Sequence, residues 1–182
     1  MIKALITGGC RSGKSEYALG LAEASANRVF IATAEAKDHE MAERIERHKL
    51  RRGKGWKTVE EPLNLTAALL EHRNDAGVVV IDCLSLWLSN MILRGDGHEY
   101  ILAQIKELAQ EVQNAASNLI IVTNEVGCGV VPENKMARAF RDLAGCAGQQ
   151  LACVCSLVVL MVAGIPLVIK ENGKRRNYGK TK

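Results

Sequence analysis

Apolar residues in this chain follow two alternating patterns. Short, mostly apolar runs occur at Lys3–Thr7, Arg28–Ala32, Val78–Asp82, Asn118–Thr123, Leu157–Val162 and Pro166–Ile169. Runs of this length predict buried strands. Between them, apolar residues recur every three or four positions at Gly13–Ala24, Asp38–Arg52, Leu63–His72, Ser85–Arg94, Glu99–Ala116 and Asn134–Cys153. These stretches predict helices, most clearly where Ile101, Leu102, Ile105, Leu108, Ala109 and Val112 share one side. The alternation predicts an α/β fold, with a mainly parallel sheet and helices on both faces. Asp96-Gly97 and Asn172-Gly173 mark turns, and no linker divides the chain. One domain over residues 1–169, followed by a basic tail at 170–182, is expected.

One segment complicates the pattern. Leu151 to Ile169 is apolar apart from Ser156, Gly164 and Pro166, long enough to suggest a membrane span. A helix end, a strand, a turn at Ala163-Gly164 and a second strand account for it better, because the sheet needs both strands. No membrane insertion is expected.

The first strand runs into Gly8-Gly9-Cys10-Arg11-Ser12-Gly13-Lys14-Ser15, a full match to G-x-x-x-x-G-K-[ST], and a helix follows. In this P-loop pattern the glycines let backbone N–H groups turn inward around a phosphate. Lys14 offers a cation to the β/γ-phosphates, and the Ser15 hydroxyl can bind Mg²⁺. The helix N-terminus adds favourable partial charge. Val78-Val79-Val80-Ile81-Asp82 ends an apolar strand on an acid, the arrangement in which a neighbouring carboxylate holds Mg²⁺ directly or through water. Asp82 is therefore a metal- or nucleotide-binding candidate. ATP or GTP with Mg²⁺ is the expected ligand set.

Charge narrows the partners. The net charge is +4, but Lys170, Lys174, Arg175, Arg176, Lys180 and Lys182 against Glu171 put +5 in the tail and leave −1 for the body. With few aromatic residues as well, the body does not read as a nucleic-acid surface. The tail reads as a solvated terminus. The six cysteines form no C-x-x-C, no secretory signal precedes the first strand, and the four histidines lack metal-ligand spacing with the cysteines. Reduced thiols in a cytoplasmic protein are expected.

A histidine carries the sharper chemical suggestion. On the predicted helix Asp38–Arg52, Arg44 and Arg52 lie four residues either side of His48 and Arg51 lies three away, with Met41 and Ile45 on the same side. Cations disfavour imidazole protonation and attract polyphosphate. Those are the requirements of a histidine that attacks phosphorus, although a solvated basic helix has the same pattern.

Longer segments resemble one enzyme family. They are Thr7 through Ser15, Phe30-Ile31-Ala32-Thr33-Ala34, Glu40-Met41 through His48-Lys49, and Trp56-Lys57-Thr58-Val59-Glu60. Val122 through Asn134 and Ala137 through Gly145 extend the match, with Thr-Asn-Glu-Val-Gly, Pro-Glu-Asn and Phe-Arg-Asp as its specific parts. The chain resembles the bifunctional adenosylcobinamide kinase / adenosylcobinamide-phosphate guanylyltransferases of cobalamin biosynthesis. The resemblance implies a single RecA-like P-loop domain and two reactions. ATP or GTP phosphorylates the terminal hydroxyl of adenosylcobinamide; His48 then takes GMP from GTP and passes it to adenosylcobinamide phosphate. It implies nucleotide contacts at Gly8, Gly9, Cys10, Arg11, Ser12, Gly13, Lys14 and Ser15, at Thr33, Ala34 and Glu35, at Lys49, Leu50, Arg51 and Arg52, and at Glu60 and Asp82. Ser15 and Asp82 would hold the metal. The resemblance further implies a homotrimer, and Asn124-Glu125-Val126-Gly127 would help to shape the site. Three departures stand out. Gly53 replaces a usual Pro, Asp82 a frequent Glu, and Gly148-Gln149 a common Asn-Gln.

Each residue also has a plainer reading: Glu60 as a cap for the helix after Pro62, Thr33 as a turn residue. Two other functions fit the loop alone. One is a simple P-loop kinase of a small metabolite. The other is a RecA-like ATP-driven module acting on a partner macromolecule. Only a guanylyltransferase should carry GMP on histidine.

Overall fold

The computed structural model describes residues 1–36 and 38–176, with only the backbone of Arg44 and Arg51. The predicted alternation appears as strands β1 (Lys3–Gly8), β2 (Arg28–Ala32), β3 (Trp56–Glu60), β4 (Val78–Asp82), β5 (Asn118–Val122), β6 (Leu157–Val162), β7 (Ile165–Glu171) and β8 (Lys174–Arg175). The helices are α1 (Lys14–Ala22), α2 (His39–Arg52), α3 (Leu65–His72), α4 (Leu84–Arg94), α5 (His98–Asn114) and α6 (Lys135–Val154). One sheet forms in the order β3-β2-β4-β5-β1-β6-β7-β8. Its strands are parallel from β3 to β6, and β7 and β8 add as antiparallel hairpins.

Alternation along the strands divides the core. Leu5, Ile31, Val79, Ile81, Leu119, Ile121 and Val158 turn toward α3 to α6 and pack against Leu69, Trp87, Leu88, Ile105, Leu108 and Leu151. Ala4, Ile6, Phe30, Val78, Val80, Ile120 and Val122 turn the other way, against Ala18 and Ala22 of α1. The central strands are buried on both faces, so they read as continuous apolar runs. The indole of Trp87 donates to the Leu63 carbonyl at 2.7 Å, fixing the entry to α3 against α4.

Strand β3 escaped the apolar pattern because it is an edge strand of Trp56-Lys57-Thr58-Val59-Glu60. It has one paired neighbour, and only Trp56 and Val59 are half-buried. The boundary expected at residue 169 also needs correction. β7 runs to Glu171, and β8 returns through Lys174–Arg175. Both turns, Ala163-Gly164 and Asn172-Gly173, hold two consecutive residues at positive φ, as two-residue hairpins of the primed type require. The Lys170 ammonium donates to the carbonyls of Ala152 and Cys153 at 2.7 and 3.0 Å, satisfying the C-terminus of α6. The first part of the basic tail is thus sheet; residues 177–182 lie outside the described residues. Among the described residues, no helix is long and apolar enough to cross a membrane.

Candidate active site

Register and pleat bring the candidate residues to one edge. Ala32 at the end of β2 lies opposite both Glu60 and Asp82, and Asp82 lies opposite Val122, which in turn pairs with Ile6. The strands therefore end together. Asp82 shares parity with Val78 and Val80, so it faces the α1 side, as Phe30 does. On β3, Trp56, Thr58 and Glu60 have the parity opposite to Val59, which packs into the other core.

The loop from Gly8 to Gly13 joins β1 to α1 in a conformation its glycines permit. Gly8 has φ +146°, and a Cβ there would stand 2.4 Å from the Met161 carbonyl oxygen of β6. Gly13, at φ +91°, precedes the first turn of α1. The Ser12 carbonyl accepts from the Gly164 N–H at 3.1 Å, and the Gly8 carbonyl from the Glu125 N–H at 2.9 Å. The β6–β7 hairpin and the segment after β5 thus hold the loop from two sides. Ser12 and Lys14 are buried, and the Lys14 ammonium donates back to the Gly9 carbonyl at 2.6 Å. Gly9, Cys10 and Arg11 are exposed at the tip.

A cleft of about 480 Å³ opens beside this loop, lined by Ser15, Glu16, Leu19, Phe30, His48, Arg52 and Asp82. α2 supplies His48 and Arg52. Its N-terminus is capped by the Asp38 carboxylate, which accepts from the Met41 N–H at 2.7 Å. Its end falls at Gly53, whose φ of +71° favours glycine over the Pro usual in the resembling family. None of the described side chains of α2 is buried. Polar contacts hold the helix instead. The Arg52 guanidinium lies 3.9 Å from the Phe30 ring centroid, a cation–π contact, and donates to the Thr58 hydroxyl at 3.4 Å. Lys49 pairs with Glu60 at 2.9 Å and with Glu46 at 3.3 Å. Glu60, then Glu46, hold the Lys49 ammonium above its usual pKa. Burial lowers the pKa of Arg52, while the charges of Asp82 and Glu60 act in the opposite sense.

The remaining candidates divide by position. Thr33 is fully buried. Its hydroxyl donates to the Cys83 carbonyl at 2.7 Å and accepts from the Cys83 N–H at 2.9 Å, and its own N–H donates to the Asp82 carbonyl at 3.3 Å. Its side chain thus ties the ends of β2 and β4 together beneath the cleft. Ala34 and Glu35 follow in the half-buried loop after β2. Glu60 meets Lys49 and does not cap α3; the neighbouring Glu61 carboxylate accepts from the Leu63 and Asn64 N–H groups at 2.9 and 2.7 Å, ahead of that helix. Leu50 is 79% exposed and does not line the cleft. The Arg51 side chain lies outside the described residues. The structure brings Ser15, His48, Arg52 and Asp82 into one cleft, with Lys14 in the adjoining loop.

Sequence reading passed over Glu16, Leu19, Phe30 and Asn90. The first three belong to ordinary amphipathic or apolar runs and carry no separate signal. Asn90 did carry one, as an amide between the apolar Leu88 and Met91-Ile92 of α4. It is buried, and its Nδ2 donates to the Thr33 carbonyl at 2.8 Å and the Pro62 carbonyl at 3.1 Å.

Among the described residues, no group of three or more His, Cys, Asp or Glu could hold a metal by itself. The hydroxyl of Ser15 and the carboxylate of Asp82 share the cleft wall, with the Glu16 carboxylate beside them. That donor set suits Mg²⁺, which keeps several waters and takes substrate phosphates as ligands. A second hollow of about 420 Å³, lined in part by Asn27, Arg28, Lys57, His72 and Asp75, lies toward the other end of the sheet, away from the phosphate loop.

A phosphate loop, an acid on a nearby parallel strand and a histidine with a cation on the facing helix define a P-loop nucleotide-binding enzyme of the phosphoryl- or nucleotidyl-transfer type. Comparison with known proteins narrows the class. Residues 4–169 match the model of the cobinamide kinase / cobinamide phosphate guanyltransferase family, and the chain belongs to that family. The bifunctional adenosylcobalamin biosynthesis protein CobU of Escherichia coli K12 is 38% identical over 178 residues, covering 91% of this chain and 98% of that protein. The CobP protein of the same description from Pseudomonas aeruginosa PAO1 is 41% identical over 167 residues, covering 91% and 96%. CobU of Salmonella typhimurium LT2 is 35% identical over 178 residues, covering 91% and 98%.

Proposed function

We propose that this chain catalyses both reactions of its family in cobalamin biosynthesis. It phosphorylates adenosylcobinamide with ATP or GTP, then transfers GMP from GTP to adenosylcobinamide phosphate through a guanylyl-histidine at His48. The products of the second reaction are adenosylcobinamide-GDP and pyrophosphate. The observation that carries this reading is the meeting of His48 with Ser15, Arg52 and Asp82 in one cleft beside the phosphate loop.

The chemistry follows from the residues. The loop N–H groups and Lys14 bind and orient the triphosphate. An imidazole nitrogen of His48 attacks the α-phosphorus, and the bond to the bridging oxygen breaks with loss of pyrophosphate. Arg52 supplies a cation where negative charge gathers on the phosphoryl oxygens, and its stacking on Phe30 pre-orients it. The phosphate of the corrinoid substrate then attacks the same phosphorus and frees the histidine. Mg²⁺ held by Ser15 and Asp82 would neutralise phosphate charge. Two chemically different steps can share one loop because each needs positioning and charge neutralisation more than proton chemistry.

A homotrimer and a cytoplasmic location belong to the same proposal. An exposed aliphatic row, Val162, Ile165, Leu167 and Ile169 on β6 and β7, supports self-association, and six free thiols suit a reducing compartment. The simple-kinase reading retains Lys14, Ser15 and Asp82 but leaves His48 on the wall of the cleft without a task.

The test is incubation with α-labelled GTP and Mg²⁺, comparing wild type with His48→Ala. Acid-labile, base-stable label on wild type and none on the variant is expected. An unlabelled wild type that still binds ATP or GTP would overturn the covalent mechanism in favour of the simple kinase.

A further inference from the structure

Phosphorylating an alcohol calls for a group that takes the hydroxyl proton, and two carboxylates, Glu16 and Asp82, line the cleft around His48. Asp82 is committed to the metal in the reading above. Glu60 is paired with Lys49, and Glu61 holds the turn ahead of α3 by accepting from the Leu63 and Asn64 N–H groups. The sheet order points elsewhere. β5 lies between β4, which carries Asp82, and β1, which carries the phosphate loop. Ligands of open parallel sheets bind beyond the carboxyl ends of such strands.

Beyond Val122, the chain continues to pair with β1. The Thr123 N–H donates to the Ile6 carbonyl and the Glu125 N–H to the Gly8 carbonyl, both at 2.9 Å. Glu125 is thus bonded through its backbone to the first residue of the phosphate loop. Its side chain is held as well, since Oε1 accepts from the Gly127 N–H at 2.6 Å. That bond uses one of about four acceptor positions of a carboxylate, leaving capacity for a substrate hydroxyl. The segment is braced on both flanks. Asn124 Nδ2 donates to the Ser85 hydroxyl at 2.9 Å, and the Arg141 guanidinium donates to the carbonyls of Gly127 and Val130, both at 2.7 Å. An exposed carboxylate on a doubly anchored backbone beside a phosphate loop is more than a solvated loop residue requires.

We propose that Glu125 is the catalytic base of the kinase half-reaction, accepting the proton of the corrinoid hydroxyl. The hydroxyl oxygen forms its bond to the γ-phosphorus while its proton passes to the Glu125 carboxylate. The bond from the γ-phosphorus to the bridging oxygen breaks, and the nucleoside diphosphate leaves with that electron pair. The proton is afterwards released to water. Glu125 does not line the His48 cleft, so the base would serve one reaction and not the other. The inference rests on the two-reaction reading above.

The test uses the full chain with three separate assays: phosphorylation of adenosylcobinamide, labelling from α-labelled GTP, and GMP transfer to pre-formed adenosylcobinamide phosphate. Glu125→Gln is expected to lower kinase kcat by about 10²–10⁴-fold, the usual contribution of a positioned base. Labelling and transfer should stay within about twofold of wild type. Glu125→Asp should retain more kinase activity than Glu125→Gln. A kinase rate unchanged in Glu125→Gln, or equal losses in all three assays, would overturn the assignment. A wild type that labels with GMP but never phosphorylates adenosylcobinamide would overturn the kinase reading itself, and the assignment with it.

Discussion

Asn90 offers a direct test of how the site is held in place. Its amide reaches from α4 to the Thr33 and Pro62 carbonyls at 2.8 and 3.1 Å. Thr33 is bonded in turn to Asp82 and Cys83. One side chain therefore braces the end of β2, the turn after β3 and, through Thr33, the end of β4. Asn90→Ala leaves two carbonyls without that donor, at about 1–3 kcal/mol each before relaxation. The expected loss is about 2–4 kcal/mol, a large share of the roughly 5–15 kcal/mol typical of a domain. For a chain of this size that is a fall in Tm of about 5–15 °C. Asn90→Asp separates hydrogen bonding from shape. It fits the same space but turns a carboxylate toward two carbonyls, so it should be no more stable than Asn90→Ala. Urea unfolding followed by circular dichroism measures both. A loss below about 0.5 kcal/mol in Asn90→Ala, within the range of an ordinary surface change, would refute the argument. So would an Asn90→Asp variant as stable as wild type.

Two further outcomes follow from the geometry. Gly8→Ala should cost about 2–5 kcal/mol, through backbone strain and overpacking against the Met161 carbonyl 2.4 Å from the new Cβ, and should abolish nucleotide binding; thermal melts and fluorescent-nucleotide titration check it. Burial, then the Asp82 charge, pushes the Cys83 thiol from its ordinary 9.0 up to about 11, so the folded state keeps a proton that the unfolded state gives up. That contribution is intact below pH 9 and is lost as pH rises through 11. Between pH 8.5 and 10.5 the stability of wild type should fall by about 1–2 kcal/mol more than that of Cys83→Ala in urea titrations; equal falls would refute the shift.

Legibility in the sequence tracked how strongly each residue's neighbours depend on that residue alone. The phosphate loop was plain because its backbone path demands glycine at defined positions. The central strands were plain because burial on both faces removes polar residues. Edge strand β3 was hidden, since one face meets the polar helix α2 and only Val59 reaches the larger core. The tail looked solvated because Lys170 and its neighbours are charged, yet the ammonium of Lys170 is the group that closes α6. The Arg44–Arg52 spacing around His48 was visible, but nothing in spacing alone could reveal that Arg52 stacks on Phe30 from another element. That contact is set by the parity of β2, which only the sheet register supplies.

The polarity of α2 bears on how a covalent carrier can work. The central helices are held by buried apolar area, whereas α2 is held at its C-terminal half by Arg52 on Phe30 and Lys49 on Glu60. Partly exposed cation–π and ion-pair contacts contribute of the order of 1 kcal/mol or less each. Local opening of such a helix therefore costs far less than unfolding the domain. Of these cations Arg52 lines the cleft, where a polyphosphate would engage it, so ligand and helix are coupled through that side chain. In the proposed reaction a loaded nucleotide would add bonds to Arg52 and steady His48 when attack on phosphorus requires alignment. Loss of pyrophosphate would remove some of that charge and loosen the same helix when a bulky corrinoid must enter. A nucleophile mounted on a deeply packed helix would gain rigidity and give up that exchange.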